Sequence, residues 1–200
     1  MTSMMTAKHV LDLYTSMNIK LDEGGSCEAQ IQYFLTFLRN HPNVKTVFEI
    51  GFNGGLSSLG FLSAREDIQV VSVDIGAHAY VLKAKEWIDK KFPGRHTLII
   101  GDSTTAVPTL KKLFPSFHPD LIFIDGGHDE PVPRLDLEHC LQLARPDTWF
   151  ILDDAVPWMK DILQPVNKLI QDHRIHIYEH KVVEPIHGWL LFRPVGLPTV

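Results

Sequence analysis

The sequence predicts an α/β domain with about seven strands, most of them parallel. A short apolar run, a turn signal and an amphipathic stretch recur five times along the chain. The runs are unbroken rather than alternating, which is typical of strands that are buried on both faces of a parallel sheet. After about residue 172 the pattern changes to a period of two, which predicts an antiparallel pair that closes the sheet.

Apolar runs and apolar periodicity place the individual elements. The predicted parallel strands are Val47–Ile50, Val70–Val73, Leu98–Ile100, Leu121–Ile124 and Trp149–Leu152, and the closing pair comprises residues 174–180 and 188–194. Apolar residues at helical spacing predict helices over residues 31–38, 81–88, 137–144 and 159–166. Pro165 is expected to kink or split the last helix, because proline removes a backbone hydrogen bond and its ring clashes with the preceding turn.

Length and composition predict one domain, residues 1–200, with N-terminal helices in residues 1–42 and the core in residues 44–193. Nineteen basic and 24 acidic side chains give a net charge of −5, which argues against a nucleic-acid-binding surface. The two cysteines, Cys27 and Cys140, fit a reducing compartment. The sequence has neither a signal-peptide pattern nor an apolar run near the ~20 residues of a membrane span. We therefore expect a cytoplasmic protein that binds neither membranes nor nucleic acids.

The residues that follow the predicted strands carry the chemical signal. Ligands of open α/β sheets bind at the carboxyl ends of the strands. In chain order, these ends read GFNGG, DIG, GDS, DGGH and DD. Since every one is acidic, glycine-rich or both, the sequence predicts a ligand site along this edge of the sheet.

The turn after the first strand combines glycines with the start of a predicted helix. Glycines let the chain turn tightly, and the N–H groups of a helix N-terminus can bind an anionic group. The dinucleotide pattern Gly-x-Gly-x-x-Gly is not met from Gly51, because Asn53 and Leu56 occupy its later positions. Glu49, two residues before Gly51, favours a ligand with a cationic amine over one with a pyrophosphate.

Asp74 ends the second strand, 23 residues after Gly51. An acidic residue at about this spacing commonly accepts hydrogen bonds from the ribose hydroxyls of a nucleoside. The alternative is that Asp74 caps the next helix, and the two roles are compatible.

Three aspartates end the fourth and fifth strands: Asp125, then Asp153 and Asp154, which begin 28 residues later. Adjacent parallel strands lie about 4.8 Å apart, so these carboxylates should converge. They repel one another unless a cation or protons intervene, and hard oxygen ligands suit Mg²⁺, Mn²⁺ or Ca²⁺. The alternative is structural: Asp153 caps a helix and Asp125 only ends a strand.

His128 lies three residues after Asp125. An imidazole, with an ordinary pKa of about 6.5, could take a proton near neutral pH from a hydroxyl that a cation has acidified. It could equally form a local hydrogen bond or serve as a ligand.

Together, these motifs resemble those of class I S-adenosylmethionine (SAM)-dependent methyltransferases. The order is Glu-x-Gly-x-x-x-Gly-x-Ser, an acidic end of the second strand, Gly-Asp-Ser, Ile-Asp-Gly-Gly-His and Leu-Asp-Asp. It is most similar to the small, often metal-dependent O-methyltransferases of the catechol, caffeoyl-CoA and methyltransferase-24 types. The resemblance covers roughly residues 25–193. It implies a Rossmann-like seven-stranded sheet of order 3-2-1-4-5-7-6, with an antiparallel last strand and helices on both faces.

The resemblance also implies which residues bind SAM. These are Glu49, Gly51, Asn53, Gly55, Ser57, Asp74, Asp102, Ser103 and Asp125. The glycine loop would surround the methionine part of SAM, with Glu49 beneath it and Ser57 on the carboxylate. Asp74 would bind the ribose hydroxyls, and Asp102 and Ser103 would contact the adenine.

The resemblance gives the acidic strand ends a catalytic role. In the resembled enzymes, an Asp at the first position and an Asp-Asn or similar pair at the second hold Mg²⁺ against two substrate hydroxyls. Here Asp125, Asp153 and Asp154 would hold Mg²⁺ or another divalent cation, with an Asp-Asp pair as the variant. The catechol-type enzymes have a lysine base at the position of His128, so His128 is implied to be the general base.

The predicted function is therefore metal-assisted methyl transfer from SAM to a hydroxyl of a small diol-like or catechol-like molecule. Two alternatives remain open: a metal-independent methyltransferase of the same fold, and a SAM- or nucleotide-binding module without transfer activity. The N-terminal helices and the closing strands could support a homodimer. The turn at residues 24–27 could flank SAM or only cap a helix.

Overall fold

A computed structural model describes residues 5–184 and 187–197. Within these residues the strands are Thr46–Ile50 (β1), Gln69–Asp74 (β2), His96–Ile100 (β3), Leu121–Ile124 (β4), Trp149–Leu152 (β5), Ile175–Glu184 (β6) and His187–Pro194 (β7). The helices are Ala7–Ser16 (α1), Glu28–Asn40 (α2), Leu56–Ala64 (α3), Tyr80–Lys91 (α4), Ser103–Leu113 (α5), Val132–Leu143 (α6) and Lys160–Gln171 (α7). Each predicted strand is present, with bounds that differ by only a few residues.

The seven strands form one sheet of order β3-β2-β1-β4-β5-β7-β6, which confirms the expected topology. The first five strands pair in parallel, whereas β7 runs antiparallel to both β5 and β6. The strand order reverses at β1, which has β2 on one side and β4 on the other. The loops that leave β1 and β4 therefore diverge towards opposite faces, which opens a crevice at the carboxyl edge.

Helices cover both faces of the sheet and bury two separate apolar layers. One layer contains side chains of α1 to α4, and the other contains side chains of α5 to α7. The strands supply both layers because successive side chains point to opposite faces. Along β1, Val47 belongs to the first layer and Phe48 to the second, and along β5, Trp149 and Phe150 do the same.

Pro165 does not split α7, so this part of the expectation is wrong. The helix continues from Lys160 to Gln171 with the buried proline as its sixth residue. The lost hydrogen bond is the one to the first turn of the helix, and the apolar face around Ile162 and Val166 is anchored in the core.

In the described part of the chain, no helix is both long and apolar enough to cross a bilayer.

Candidate functional site

The loop from β1 to α3, residues 51–55, lies at the crevice. Gly51 has a φ of +89°, and a Cβ at this position would collide with the carbonyl oxygen of Asp125. Gly55, with a φ of +79°, is the N-cap of α3. Only glycine adopts these angles readily, so the two glycines keep the loop tight against β4 and end it at a helix N-terminus. The first N–H groups of α3 have no carbonyl partner within the helix and face the loop.

Asp74 connects this glycine loop to the end of β2. One of its carboxylate oxygens accepts a hydrogen bond from the N–H of Asn53 at 2.7 Å, and the other accepts one from the N–H of Gly76 at 2.7 Å. Asn53 has a φ of +48°, a conformation that asparagine tolerates better than most residues. The next helix starts at Tyr80 with Ala79 as its N-cap, so Asp74 does not cap it. The remaining lone pairs of this carboxylate are available at the strand end.

Glu49 is completely buried beneath the loop and has no surface with which to touch a ligand. Its carboxylate accepts hydrogen bonds from the hydroxyls of Ser57, Ser58 and Ser72, each at 2.5 Å. Burial raises the pKa of Glu49, and the three hydroxyls oppose this shift. Glu49 therefore has a different role from the one the sequence suggested. Its carboxylate does not contact a cationic amine but fixes the first turn of α3 from beneath the loop. The Ser57 hydroxyl is used in this network, which leaves its backbone N–H for a ligand.

The ends of β2 and β3 form a second part of the crevice. Asp102 is the N-cap of α5 and accepts hydrogen bonds from the N–H and hydroxyl of Thr104, at 2.8 and 2.7 Å. Ser103 is the first residue of α5. Two apolar side chains that the sequence reasoning missed are exposed nearby: Ile75 is 67% exposed and Ile100 is 51% exposed. They would supply an apolar surface for a flat ring.

The acidic strand ends meet on the other side of β1. Ile124 and Leu152 are paired in register, so Asp125 and Asp153 leave neighbouring strands at the same level. Asp125, His128 and Asp154 each offer a ligand atom within 4.8 Å of the others. His128 Nε2 lies 2.7 Å from an oxygen of Asp154, which has a φ of +52°. The left-handed backbone of Asp154 turns its side chain back towards the end of β4.

Asp153 lies beside this cluster but is almost buried, with 7% exposure. One of its oxygens accepts a 2.6 Å hydrogen bond from Nε2 of Gln30, a residue that the sequence reasoning missed. The next helix begins only at Lys160, so Asp153 is not a helix cap. Burial and the charge of Asp154 raise the pKa of Asp153 above its ordinary value.

The electrostatics of the cluster favour a proton or a cation. Burial and the charges of Asp153 and Asp154 raise the pKa of Asp125. The hydrogen bond to Asp154 raises the pKa of His128 above its ordinary value. Each of these shifts has the sign expected where carboxylates crowd together without enough positive charge.

The site contains two cavities, and Asp125 lines both of them, so it lies between the two halves of the site. The first cavity lies over the glycine loop and is lined by Tyr14, Leu21, Gly25, Ser26, Gly51, Phe52, Asn53, Gly54, Leu56, Ser57 and Asp125. The second lies at the acidic cluster and is lined by Ile124, Asp125, Gly126, Gly127, His128, Pro133, Asp136, Leu152, Asp153, Asp154 and Ile162. Tyr14 and Leu21 pack directly over Gly54. The sequence analysis did not predict that these two residues line the site. The segment before α2 is held there by a 2.8 Å hydrogen bond from the Asn53 amide to the carbonyl of Gly24.

Asp136 is a further buried acid at this cavity, and sequence reasoning did not single it out. It has no exposed surface, and neither carboxylate oxygen forms a hydrogen bond of normal geometry with any described residue. One oxygen lies 2.7 Å from the position that a Cβ on Gly126 would occupy. Burial raises the pKa of Asp136 to about 6, partly opposed by the nearby Ser103 hydroxyl.

We expect Asp136→Asn to change how stability depends on pH. A carboxyl group whose pKa is raised on folding contributes fully to stability below its unfolded pKa of 3.8, and this contribution is lost as pH rises through about 6. Two units correspond to about 3 kcal/mol. Urea unfolding measures this effect. The free energy of unfolding of the variant minus that of the wild type should rise by up to about 3 kcal/mol from pH 4 to pH 7. A difference that does not change with pH would contradict the assignment.

Comparisons with known proteins agree with the geometry. A model of a methyltransferase domain family matches residues 48–155, from β1 to the acidic pair after β5, which is more than half of the chain. No curated protein sequence shows a significant match.

Solved structures share the fold at low sequence identity. The SAH-bound methyltransferase PaMTH1 of Podospora anserina has a TM-score of 0.75 at 19% identity, over 92% of this chain and 87% of that one. The SAM complex of the O-methyltransferase TomG of Streptomyces achromogenes has a TM-score of 0.74 at 16% identity, over 95% and 89%. The SAH complex of an O-methyltransferase from Bacillus cereus has a TM-score of 0.73 at 17% identity, over 94% and 90%. Because the family model matches the strands and loops that build the site, the chain belongs to the methyltransferase domain family of the methyltransferase-24 type.

Proposed function

We propose that this protein transfers a methyl group from SAM to a hydroxyl oxygen of a small molecule, with the help of a divalent cation. The observation that carries the proposal is the position of Asp125, which lines both the cavity over the glycine loop and the cavity at the acidic cluster. A donor bound in the first cavity and an acceptor bound in the second would be neighbours. Such alignment is the main requirement of a direct group transfer.

The residues over the glycine loop fit SAM. The free N–H groups at the start of α3, including that of Ser57, suit its carboxylate. Asp74 suits the ribose hydroxyls because it is an acceptor fixed by two backbone N–H groups. Ile75 and Ile100 would flank the adenine ring, with Ser103 at its edge. Solved structures of the same fold, including those of TomG and the Bacillus cereus enzyme, hold SAM or SAH.

The acidic cluster fits a divalent cation, Mg²⁺ or another. Asp125 and Asp154 offer ligand atoms within 4.8 Å of each other, and Asp153 lines the same cavity. Their carboxylate oxygens would be the ligands that Mg²⁺, Mn²⁺ and Ca²⁺ prefer. His128 lies in the same cluster, but its Nε2 is 2.7 Å from an oxygen of Asp154, so we assign this ring to proton transfer and not to the cation. When bound, such a cation would lower the pKa of an acceptor hydroxyl and orient a second hydroxyl beside it.

His128 is placed to hold the proton that leaves the acceptor. Its Nε2 is fixed by Asp154 at 2.7 Å, and about half of its side chain is exposed towards the second cavity. The carboxylate raises the pKa of His128, which makes the ring a stronger base. In this proposal Asp125 orients the acceptor and His128 takes its proton, while the sulfonium of SAM supplies the methyl group.

The charge of the site suggests the class of acceptor. Asp125, Asp153 and Asp154 all line the second cavity, and the chain carries a net charge of −5. A neutral or cationic small molecule with adjacent hydroxyls suits this surface better than a phosphorylated compound or a nucleic acid does.

Location in the cytoplasm and formation of a homodimer also stay predictions.

A methyl-transfer assay tests the proposal. The protein is incubated with SAM that carries a labelled methyl group and a panel of catechols and vicinal diols, with Mg²⁺ or with EDTA. We expect label in at least one acceptor with Mg²⁺ and a large loss of transfer in EDTA. Equal transfer in EDTA would favour a metal-independent methyltransferase. Binding of SAM without transfer to any acceptor would favour a non-catalytic module.

A further inference from the structure

Gln30 connects the N-terminal helix α2 to the acidic cluster. Its side chain is completely buried, and its Nε2 donates a 2.6 Å hydrogen bond to Oδ1 of Asp153, 123 residues away in sequence. Gln30 is therefore the contact through which α2 reaches a carboxylate at the carboxyl edge of the sheet.

The burial of Gln30 has no evident structural benefit. Its neighbours on α2, Ile31 and Phe34, belong to the apolar layer between α2 and the sheet. The Oε1 atom of Gln30 accepts no hydrogen bond from any described residue. Leaving a buried polar atom without a partner costs about 1–3 kcal/mol, so an apolar side chain would serve packing better. The hydrogen bond to Asp153 is what an apolar side chain could not supply.

The chain fixes α2 at both halves of the site. Before the helix, the carbonyl of Gly24 accepts the hydrogen bond from the Asn53 amide in the glycine loop. Three residues into the helix, Gln30 binds Asp153. The position of Gln30 relative to the sheet is therefore set from two sides, which makes its amide a rigid donor.

We propose that Gln30 is a positioning residue, which holds one oxygen of Asp153 so that the other faces the cation site beside Asp125 and Asp154. This inference rests on the proposed cation. A hydrogen bond to one oxygen restricts rotation of the carboxylate and favours its charged form. Groups that orient metal ligands in this way typically contribute 10- to 100-fold to metal affinity.

Mn²⁺ binding to the purified protein, followed by electron paramagnetic resonance, tests this role. Gln30→Met keeps the length and approximate volume of the side chain and removes the donor. We expect a 10- to 100-fold weaker affinity for Mn²⁺, with affinity for SAH within about twofold of the wild type. The matched control is Gln32→Met, an exposed position on the same helix, which should leave Mn²⁺ affinity unchanged.

A double-mutant cycle separates positioning from a general loosening of the fold. If Gln30 acts through Asp153, Gln30→Met should weaken Mn²⁺ binding much less in an Asp153→Asn background than in the wild type. Additive effects would overturn the inference. Should Gln30→Met not fold, as judged by its unfolding midpoint, Gln30→Asn replaces it, since that amide is one methylene too short to reach Asp153.

The outcomes distinguish this inference from the proposed function. Wild-type affinity for Mn²⁺ in the Gln30 variants would overturn the positioning role and leave the cation site intact. Absence of Mn²⁺ binding to the wild type would overturn the cation site and, with it, the role of Gln30.

Discussion

Asp125→Asn is expected to reduce methyl transfer by about 100- to 1,000-fold, the usual effect of removing one fixed electrostatic group from an active site. The substitution keeps the size of the side chain and removes the charge between the two cavities. It should not unfold the protein, because burial and the neighbouring carboxylates already raise the pKa of Asp125, and the variant relieves both the burial of a charge and the repulsion. The transfer assay with Mg²⁺ measures the loss, and calorimetry should show SAH affinity within a few-fold of the wild type.

Asp129→Asn is the matched control for this variant. Asp129 lies on the same loop, four residues further along, and its side chain is exposed. It should retain activity close to that of the wild type, which would show that the loss at Asp125 does not come from a general change of surface charge. Full activity of Asp125→Asn in the presence of EDTA would contradict both the cation site and the role of Asp125.

Asp74→Ala is expected to weaken SAH binding by about 10- to 100-fold or more. A hydrogen bond to a charged group contributes about 1.5–3 kcal/mol, and each 1.4 kcal/mol corresponds to a factor of about ten. The variant also loses the hydrogen bonds from the N–H groups of Asn53 and Gly76, which adds some loosening of the glycine loop. Calorimetric titration of SAH measures the effect, and Glu86→Ala, an exposed acid on α4, is the control.

A ribose analogue separates a direct contact from loosening of the loop. SAH that lacks the 2′-hydroxyl should bind the wild type more weakly than SAH does, because the Asp74 carboxylate loses a donor. Asp74→Ala should bind both compounds with similar affinity. An equal penalty for the missing hydroxyl in both proteins would show that Asp74 does not bind the ribose.

Much of the fold and the edge that carries the site follow from local sequence patterns. Unbroken apolar runs identify the parallel strands, and the carboxyl ends of parallel strands meet at one edge whatever the strand order. The acids at positions 74, 125 and 153 could therefore be assigned to one region. The order of the strands came from the resemblance to a family, because no local pattern specifies which strands are neighbours.

The role of Glu49 shows what motif spacing alone leaves out. Successive side chains of a strand point to opposite faces, so Glu49 shares the face of Val47, which α3 covers. Counting this alternation, and noting the serines in the first turn of α3, would have predicted a buried network beneath the loop. The motif indicated the correct place but not the direction of the side chain.

The residues that sequence reasoning missed come from segments far away along the chain or from apolar side chains. Gln30 and Leu21 precede β1 and reach the site only because α2 packs on the sheet, a tertiary placement that local periodicity does not encode. Ile75 and Ile100 are apolar residues at strand ends, where such residues usually belong to the core. Their exposure is visible only in the structure.

Calorimetric titration of SAH into the wild-type protein, with NAD as the matched control, tests the central claim most directly. The two compounds share an adenosine moiety, whereas only SAH carries the amino-acid end that the glycine loop and the start of α3 would bind. We expect binding of SAH and no binding of NAD, with and without Mg²⁺. Binding of NAD in place of SAH, or of neither compound, would contradict the assignment of this crevice to SAM.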